Sequence, residues 1–381
     1  MATRKSFSSF WTQIGTRLLP FADAASDELP LPRLLRLSLF QVSVGMTMVL
    51  LTGTLNRVMI VELGLAASVV SMMVALPLLF APFRAFLGHK SDTHRSALGW
   101  KRGPYIWFGS LLLFGGFAIM PFALLLLSGD TTGPFWIGQI GAALAFLLVG
   151  AGMHTVQTAG LALAADLAPA EDHPRVVALL FVMLLIGMVF SALIFGILLR
   201  PFSQLTLIQM IQGTAVTVMV LNLIALWKQE PRTPKDKQDL KERPSFADAW
   251  RKLVARPGTR RLLAATGVGA AAFSMQDVLL EPYGGEILGM SVSGTTLLTA
   301  VLAAFTLIGF AFSAWRLTHH AEPNRLAAMG LLVGIIGFSG VIFSGPLSST
   351  VLFVCGVALI GMGSGVFSVC VLTSVMTVIE G

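Results

Sequence analysis

Among the side chains of this sequence that could do chemistry, His154 is the only histidine inside a long apolar stretch. Gln157 and Thr158 follow it at i+3 and i+4, which places all three on one face of a helix. A neutral imidazole gives one nitrogen to a metal ion, such as the magnesium of a chlorin, while a neighbour holds the other nitrogen. Three interpretations stay open: a pigment ligand that Gln157 and Thr158 orient, a polar contact for a substrate, or a histidine hydrogen-bonded within helix packing.

A second set of polar side chains lies at the ends of two other apolar stretches and comprises Asn56, Arg57, Glu62, Gln276, Asp277 and Glu281. Asp277 and Glu281 share a helical face, just before the sequence PYGG at 282–285, where we expect the helix to break. Two such carboxylates could bind a cation, accept a proton or dock a partner. We favour an interhelical charge network in which they pair with Arg57 and close one end of a bundle.

A third set surrounds a connection rich in glycine and charge, and comprises Arg84, Gly88, Asp92, Arg95 and Asp166. Paired charges at helix ends can hold the two halves of a bundle together on one face. We expect Arg84 to extend to the membrane surface or to pair with Asp92 or Asp166. The group would then act as a cytoplasmic latch.

The composition requires that the elements carrying these residues sit in lipid. Hydrophobic residues make up 55% of the 381 positions and charged residues only 12%, whereas a soluble domain carries roughly 25% charge. The formal net charge of +7 is therefore no sign of a nucleic-acid partner, and the partner it implies is a lipid bilayer.

About 20 apolar residues are needed for a helix to cross a membrane, and only helices suit runs of this length. The sequence predicts ten such spans, at 36–55, 64–86, 104–127, 135–165, 176–199, 205–226, 262–282, 293–315, 326–344 and 350–378. The fold class is therefore an all-α polytopic membrane protein.

The basic residues are sorted to one side of these spans. Of the 26 Lys and Arg residues, 24 lie in the N-terminal segment and in the second, fourth, sixth and eighth connections, whereas Arg57 and Arg200 lie on the other side. The positive-inside rule places the N-terminus in the cytoplasm. An even number of spans returns the C-terminus to the same side.

The chain divides into four segments: a cytoplasmic N-terminal segment (1–35), a six-helix half (36–226), a charged cytoplasmic linker (227–261) and a C-terminal half with four spans (262–381). Apolar residues at helical spacing predict an interfacial helix near residues 7–18 and another after Ser245. Similar sequences at the ends of the first and seventh spans, 225 residues apart, predict two pseudo-symmetric halves.

Three stretches resemble a known family: 53–64 (GTLNRVMIVELG), 152–166 (GMHTVQTAGLALAAD) and 274–285 (SMQDVLLEPYGG). Together they are similar to the PucC/LhaA family, the bacteriochlorophyll-delivery branch of the major facilitator superfamily in purple bacteria. The stretches 19–25 (LPFADAA) and 34–41 (LLRLSLFQ) resemble the LhaA members most, which are associated with light-harvesting complex 1. The connection that starts at Gly88 resembles the loop between helices 2 and 3 of the superfamily.

The resemblance implies a major-facilitator-like helical bundle with twelve spans, of which ten are visible here and the last pair is absent. It implies an assembly factor, or chaperone, that binds bacteriochlorophyll and delivers it to antenna apoproteins. The implied partners are the light-harvesting α and β polypeptides, the reaction centre, bacteriochlorophyll synthase and the translocation machinery. A carotenoid could also be bound. The implied location is the intracytoplasmic photosynthetic part of the inner membrane.

Two other functions stay open: a structural subunit that transports nothing and packs beside a photosynthetic complex, and a proton-coupled transporter of a small solute. Residues 37–55 carry no charge, which argues against proton coupling, because such carriers place ionisable groups inside their spans. The sequence shows no nucleophile–base pair, phosphate-binding loop or metal-ligand cluster, so we expect no enzymatic activity.

Overall fold

A computed structural model describes residues 25–26, 29–93, 100–129, 132–230 and 246–380. Within them, ten helices are long and apolar enough to cross a membrane, which confirms the ten predicted spans. With one short helix, the elements are α1 (Leu31–Glu62), α2 (Ala67–Ser91), α3 (Gly103–Leu127), α4 (Phe135–Leu167), α5 (His173–Leu198), α6 (Gln204–Leu226), α7 (Phe246–Ala255), α8 (Thr259–Glu286), α9 (Val292–Thr318), α10 (Pro323–Ser344) and α11 (Thr350–Glu380). The short helix α7 lies where an amphipathic helix was predicted, whereas the predicted N-terminal helix, Ser245 and Arg95 lie outside the described residues.

The two halves show the predicted repeat in their backbone. Gly64 after α1 and Gly289 after α8 both have positive φ, of 65° and 64°. The amide after each glycine then donates to a carbonyl six residues earlier, Leu65 to Met59 and Met290 to Gly284. Both helices thus end in the same wide turn, in which glycine adopts the left-handed conformation without steric cost.

Two helix pairs pack backbone against backbone, α3 with α4 and α10 with α11. A Cβ added to Gly152 would lie 2.5 Å from the carbonyl oxygen of Gly109, and one added to Gly363 would lie 2.5 Å from that of Gly330. Glycine is required at both crossings because any side chain would separate the helices.

The first span is longer than its apolar run predicted. Helix α1 continues past residue 55 to Glu62, through two π-helical segments, Val49–Leu55 and Val58–Glu62. Arg57 therefore lies inside a helix and is only 3% exposed. The sequence placed it in a connection because helices from the other half, which bury it, leave no mark on the local hydropathy.

The predicted break at 282–285 in the seventh span is wrong. Helix α8 continues through Pro282 to Glu286, and its interruption falls at Met275, between the helical segments Thr259–Ser274 and Gln276–Glu286. Proline is tolerated inside a membrane helix when a neighbouring helix satisfies the backbone group that it frees.

We call the end of the bundle where α1 begins the basic end and the end where α1 finishes the opposite end. The hydrogen bonds found between the two halves of the described chain all lie at the opposite end, and join Thr54 to Thr296, Asn56 to Val278, Arg57 to Met290 and Ser293 to Gly196. Helices α2 and α8 have the smallest share of buried residues among the ten spans. The halves are therefore joined at the opposite end.

Candidate functional site

His154 lies in the middle of α4, twelve residues before Asp166, which is about 18 Å along a helix. Its side chain is 8% exposed. Neither ring nitrogen makes a hydrogen bond of normal geometry within the described residues, although the ring interacts with the backbone of Pro77 on α2. A buried polar group normally has a full set of partners, so at least one nitrogen of this imidazole is available to a ligand.

Gln157 and Thr158 do not orient His154, which corrects that part of the prediction. The Gln157 amide donates to the side-chain oxygen of Gln41 on α1, at 3.4 Å. The Thr158 hydroxyl accepts a hydrogen bond from Nε of Arg84 on α2, at 3.2 Å. The three residues thus form one polar wall with Gln41 and Arg84, which the sequence did not connect to them.

Arg84 does not pair with Asp166, one of its two predicted partners, and the side chain of the other, Asp92, lies outside the described structure. Asp166 pairs instead with Arg102, at 3.1 Å from Nε to Oδ2. Thr158 precedes Asp166 by eight residues, about 12 Å along α4, so the Arg84 guanidinium is held well inside the bundle. Arg84 therefore does not extend towards the helix end, as a snorkelling arginine would.

The charged cluster at the basic end is centred on Arg102, a residue that the sequence analysis did not select, and its contacts stay within the six-helix half, so it does not hold the two halves together as the predicted latch would. Besides Asp166, its guanidinium donates to the Ser91 hydroxyl and to the carbonyl of Gly88, the latter at 3.4 Å. Arg102 is 4% exposed. Asp92 lies near the end of α2, but its side chain, like Arg95, is outside the described structure.

A carboxylate at the start of the linker caps α3. Glu230 accepts hydrogen bonds from the backbone amides of Lys101, Arg102 and Gly103, the last at 2.7 Å. Arg33 binds the carbonyl of the preceding residue, Gln229, at 2.7 Å. The negative charge lies where the dipole and free amides of α3 favour it, and the arrangement ties the end of the six-helix half to its beginning.

At the opposite end, Arg57 does close the two halves, but not with the predicted partners. Its guanidinium forms an ion pair with Glu62 of the same helix. It also donates to the carbonyl of Met290 in the other half, at 3.0 Å. Neither Asp277 nor Glu281 forms an ion pair with it among the described residues, so the contact between halves is from a charge to a backbone carbonyl.

Glu281 instead accepts a hydrogen bond from the Thr299 hydroxyl of α9. It is 4% exposed, and its second oxygen has no partner in the described chain. Gly53 in the π-helical part of α1 packs directly against the carboxylate. The side-chain oxygens of Gln276 and Asn56 are also buried without a partner, and Asp277 is half-buried.

The residues present fit a metal-chelating pigment better than a bare metal ion. No group of three His, Cys, Asp or Glu side chains that could hold a metal ion occurs in the described part of the chain. A magnesium chlorin, in contrast, would need only a single nitrogen ligand from the protein, which one imidazole could supply. His154 would be that ligand.

The fold defines the chain as a membrane protein of the major-facilitator type. The xylose transporter XylE from E. coli, in a partially occluded inward-open conformation, matches 91% of this chain and 87% of its own with a TM-score of 0.62 and 14% sequence identity. That likeness establishes the fold alone.

The chain belongs to the PucC family: the family model described as PUCC protein matches residues 54–380. An uncharacterized protein in the puhA–bchM intergenic region of Rhodobacter capsulatus is 60% identical over 95% of this chain and 76% of its own length. "Protein PucC" of Rhodovulum sulfidophilum is 56% identical over 95% of this chain and 81% of its own length. The "Bacteriochlorophyll synthase 44.5 kDa chain" of Rhodobacter capsulatus is 26% identical over 90% of this chain and 78% of its own length. The chain is therefore a PucC-family protein with ten helices that are long and apolar enough to cross a membrane.

Proposed function

We propose that this protein is an assembly factor that binds bacteriochlorophyll and delivers it to the antenna apoproteins of light-harvesting complex 1 around the reaction centre. The observation that carries the proposal is His154, a buried imidazole in the middle of a membrane-spanning helix that makes no hydrogen bond of normal geometry within the described residues. When bound, the pigment would supply a metal that takes a nitrogen ligand. The chain would supply that nitrogen from His154, beside the polar side chains of Gln41, Gln157, Thr158 and Arg84.

The relatives support a role with pigment. A protein named for bacteriochlorophyll synthase is 26% identical to this chain over 357 aligned residues, and more similar relatives are PucC proteins of purple bacteria. We propose the light-harvesting α and β polypeptides, the reaction centre, bacteriochlorophyll synthase and the translocation machinery as partners, and a carotenoid as a second pigment. The proposed location is the intracytoplasmic photosynthetic membrane, with the basic end in the cytoplasm.

The test is the absorption spectrum of the protein purified in mild detergent from a phototrophic host. Stoichiometric bacteriochlorophyll in the wild type, lost or spectrally shifted in His154→Ala, is the expected result. Thr155→Ala is the matched control, because the Thr155 hydroxyl bonds the carbonyl of Ala151 in its own helix. A wild type without pigment would overturn the proposal and favour a structural subunit.

A second function, proton-coupled solute transport, is favoured by one observation, the buried Glu281 oxygen without a partner. A carboxyl group between two moving halves can exchange a proton as the bundle opens. Purified protein in vesicles loaded with a pH-sensitive dye would then acidify the lumen when a transported sugar, nucleoside or amino acid is added. Glu281→Gln would abolish that signal, and no response to such a panel would exclude this function.

A further inference from the structure

Arg84 is a charged residue inside a membrane helix with a single neutral partner. Its Nε donates to the Thr158 hydroxyl, which leaves the two terminal nitrogens of the guanidinium, with four N–H donors, for another acceptor. The carboxylates of Asp166 and Asp172, near the basic end of this half, pair with other arginines, Arg102 and Arg175. No carboxylate of the described chain neutralises Arg84.

The position of Arg84 argues against a residue that simply reaches water. The contact with Thr158 holds the guanidinium about 12 Å inside the basic end of α4. An intramembrane charge is expensive unless something pairs with it. The geometry therefore leaves a place for an anionic group that the described part of the chain does not supply.

Other unused polar groups lie beside this guanidinium. Thr158 is one helical turn from His154, and side chains so spaced lie about 5–6 Å apart at their Cβ atoms. His154 interacts with the Arg84 charge and makes no hydrogen bond of normal geometry within the described residues. The Gln41 amide nitrogen is also buried without a partner. A cation and an available imidazole nitrogen thus lie within about one helical turn of each other.

We propose that this site takes a magnesium tetrapyrrole with a free side-chain carboxylate, in preference to its ester with a long-chain alcohol. The inference rests on the proposed pigment binding. Arg84 pairs with the carboxylate, and His154 provides the axial nitrogen. The reaction that esterifies the carboxylate would then follow binding to this protein, and the ester, which is the bacteriochlorophyll of the proposed function, would be held less tightly and be released to the apoproteins. A membrane phospholipid could also offer Arg84 an anion, but its phosphate would leave His154 unused.

The experiment measures binding of two probes to the purified protein by fluorescence quenching: chlorophyllide a, which carries the free acid, and its methyl ester. Wild type is expected to bind the acid at least about tenfold more tightly, which corresponds to about 1.4 kcal/mol. Arg84→Gln should remove this preference while binding of the ester stays unchanged, and Arg84→Lys should keep part of it. Arg200→Gln, at the exposed opposite end, is the matched control.

Each other outcome has a definite meaning. Equal affinity of wild type for acid and ester would overturn the inference and leave pigment binding intact, whereas no binding of either probe would overturn both. Displacement of the acid by phosphatidylglycerol from wild type, with no such competition in Arg84→Gln, would show a phospholipid site and also overturn the inference. If Arg84→Gln fails to fold, the relative affinities of wild type for the acid and the ester still decide whether the site prefers the free carboxylate.

Discussion

Asn56 of α1 donates its side-chain amide to the carbonyl of Val278 in α8, at 2.8 Å. In an uninterrupted helix this carbonyl would accept a bond from the amide four residues later, but that residue is Pro282, which has no N–H. One half of the bundle therefore completes a hydrogen bond that a proline removes from the other half. The contact explains both why α8 can continue through Pro282 and how the halves are held together.

Asn56→Ala should lower the free energy of unfolding by about 1–3 kcal/mol, because it leaves the Val278 carbonyl buried without a donor. Pro282→Ala restores a backbone N–H that can donate to the Val278 carbonyl. The double variant Asn56→Ala/Pro282→Ala should therefore lose less free energy of unfolding than Asn56→Ala alone. Thermal unfolding in detergent of the four proteins of this double-mutant cycle measures the coupling. Strictly additive losses would show that the contact does not replace the missing helical bond.

Gly152→Ala should destabilise the protein by about 1–3 kcal/mol, because the new methyl would lie 2.5 Å from the Gly109 carbonyl oxygen and 2.7 Å from the Leu113 amide nitrogen. Gly115 on α3 is the matched control, since a Cβ there meets no atom within 4 Å. Gly115→Ala should be neutral or stabilise the helix by up to about 1 kcal/mol. Equal melting temperatures for the two variants would contradict close backbone packing of α3 on α4.

Glu230→Ala should expose the first turn of α3 to exchange with solvent, because three backbone amides lose their acceptor. We expect the free energy of unfolding to fall by about 0.5–2 kcal/mol, as for the loss of other helix caps. Hydrogen exchange of the amides at 101–103 is the direct measurement. Lys228→Ala, two residues earlier, is the control, and unchanged exchange in Glu230→Ala would refute the cap.

The sequence predicted the spans but not the partners of the polar residues within them. Ten helices follow from ten apolar runs, since lipid permits little else. His154 and the opposite-end cluster were also found, because an ionisable residue stands out in an apolar run. Arg102 and Glu230 were missed because they lie in connections, where charge is ordinary. Which carboxylate meets which arginine depends on helix rotation, which sequence spacing within one helix does not determine. For this reason the sequence predicted a carboxylate partner for Arg84, whereas the structure shows a hydrogen bond to the Thr158 hydroxyl.

The ion pair between Arg57 and Glu62 joins groups in unequal environments, with side chains 3% and 33% exposed. Glu62→Ala and Arg57→Leu should therefore lower the free energy of unfolding by different amounts. Glu62→Ala leaves a buried guanidinium with only the Met290 carbonyl as acceptor, whereas Arg57→Leu leaves a carboxylate that water can reach.

We expect Glu62→Ala to cost about 1–3 kcal/mol, below the 3–5 kcal/mol typical of a fully buried pair because Glu62 is a third exposed. Arg57→Leu/Glu62→Ala should be more stable than Glu62→Ala, since removal of the stranded charge recovers part of the loss. Thermal unfolding of both single variants and the double variant gives the sign of this coupling. A double variant that is less stable than either single variant would mean that Arg57 contributes mainly through its bond to Met290, and that closure of the opposite end does not depend on Glu62.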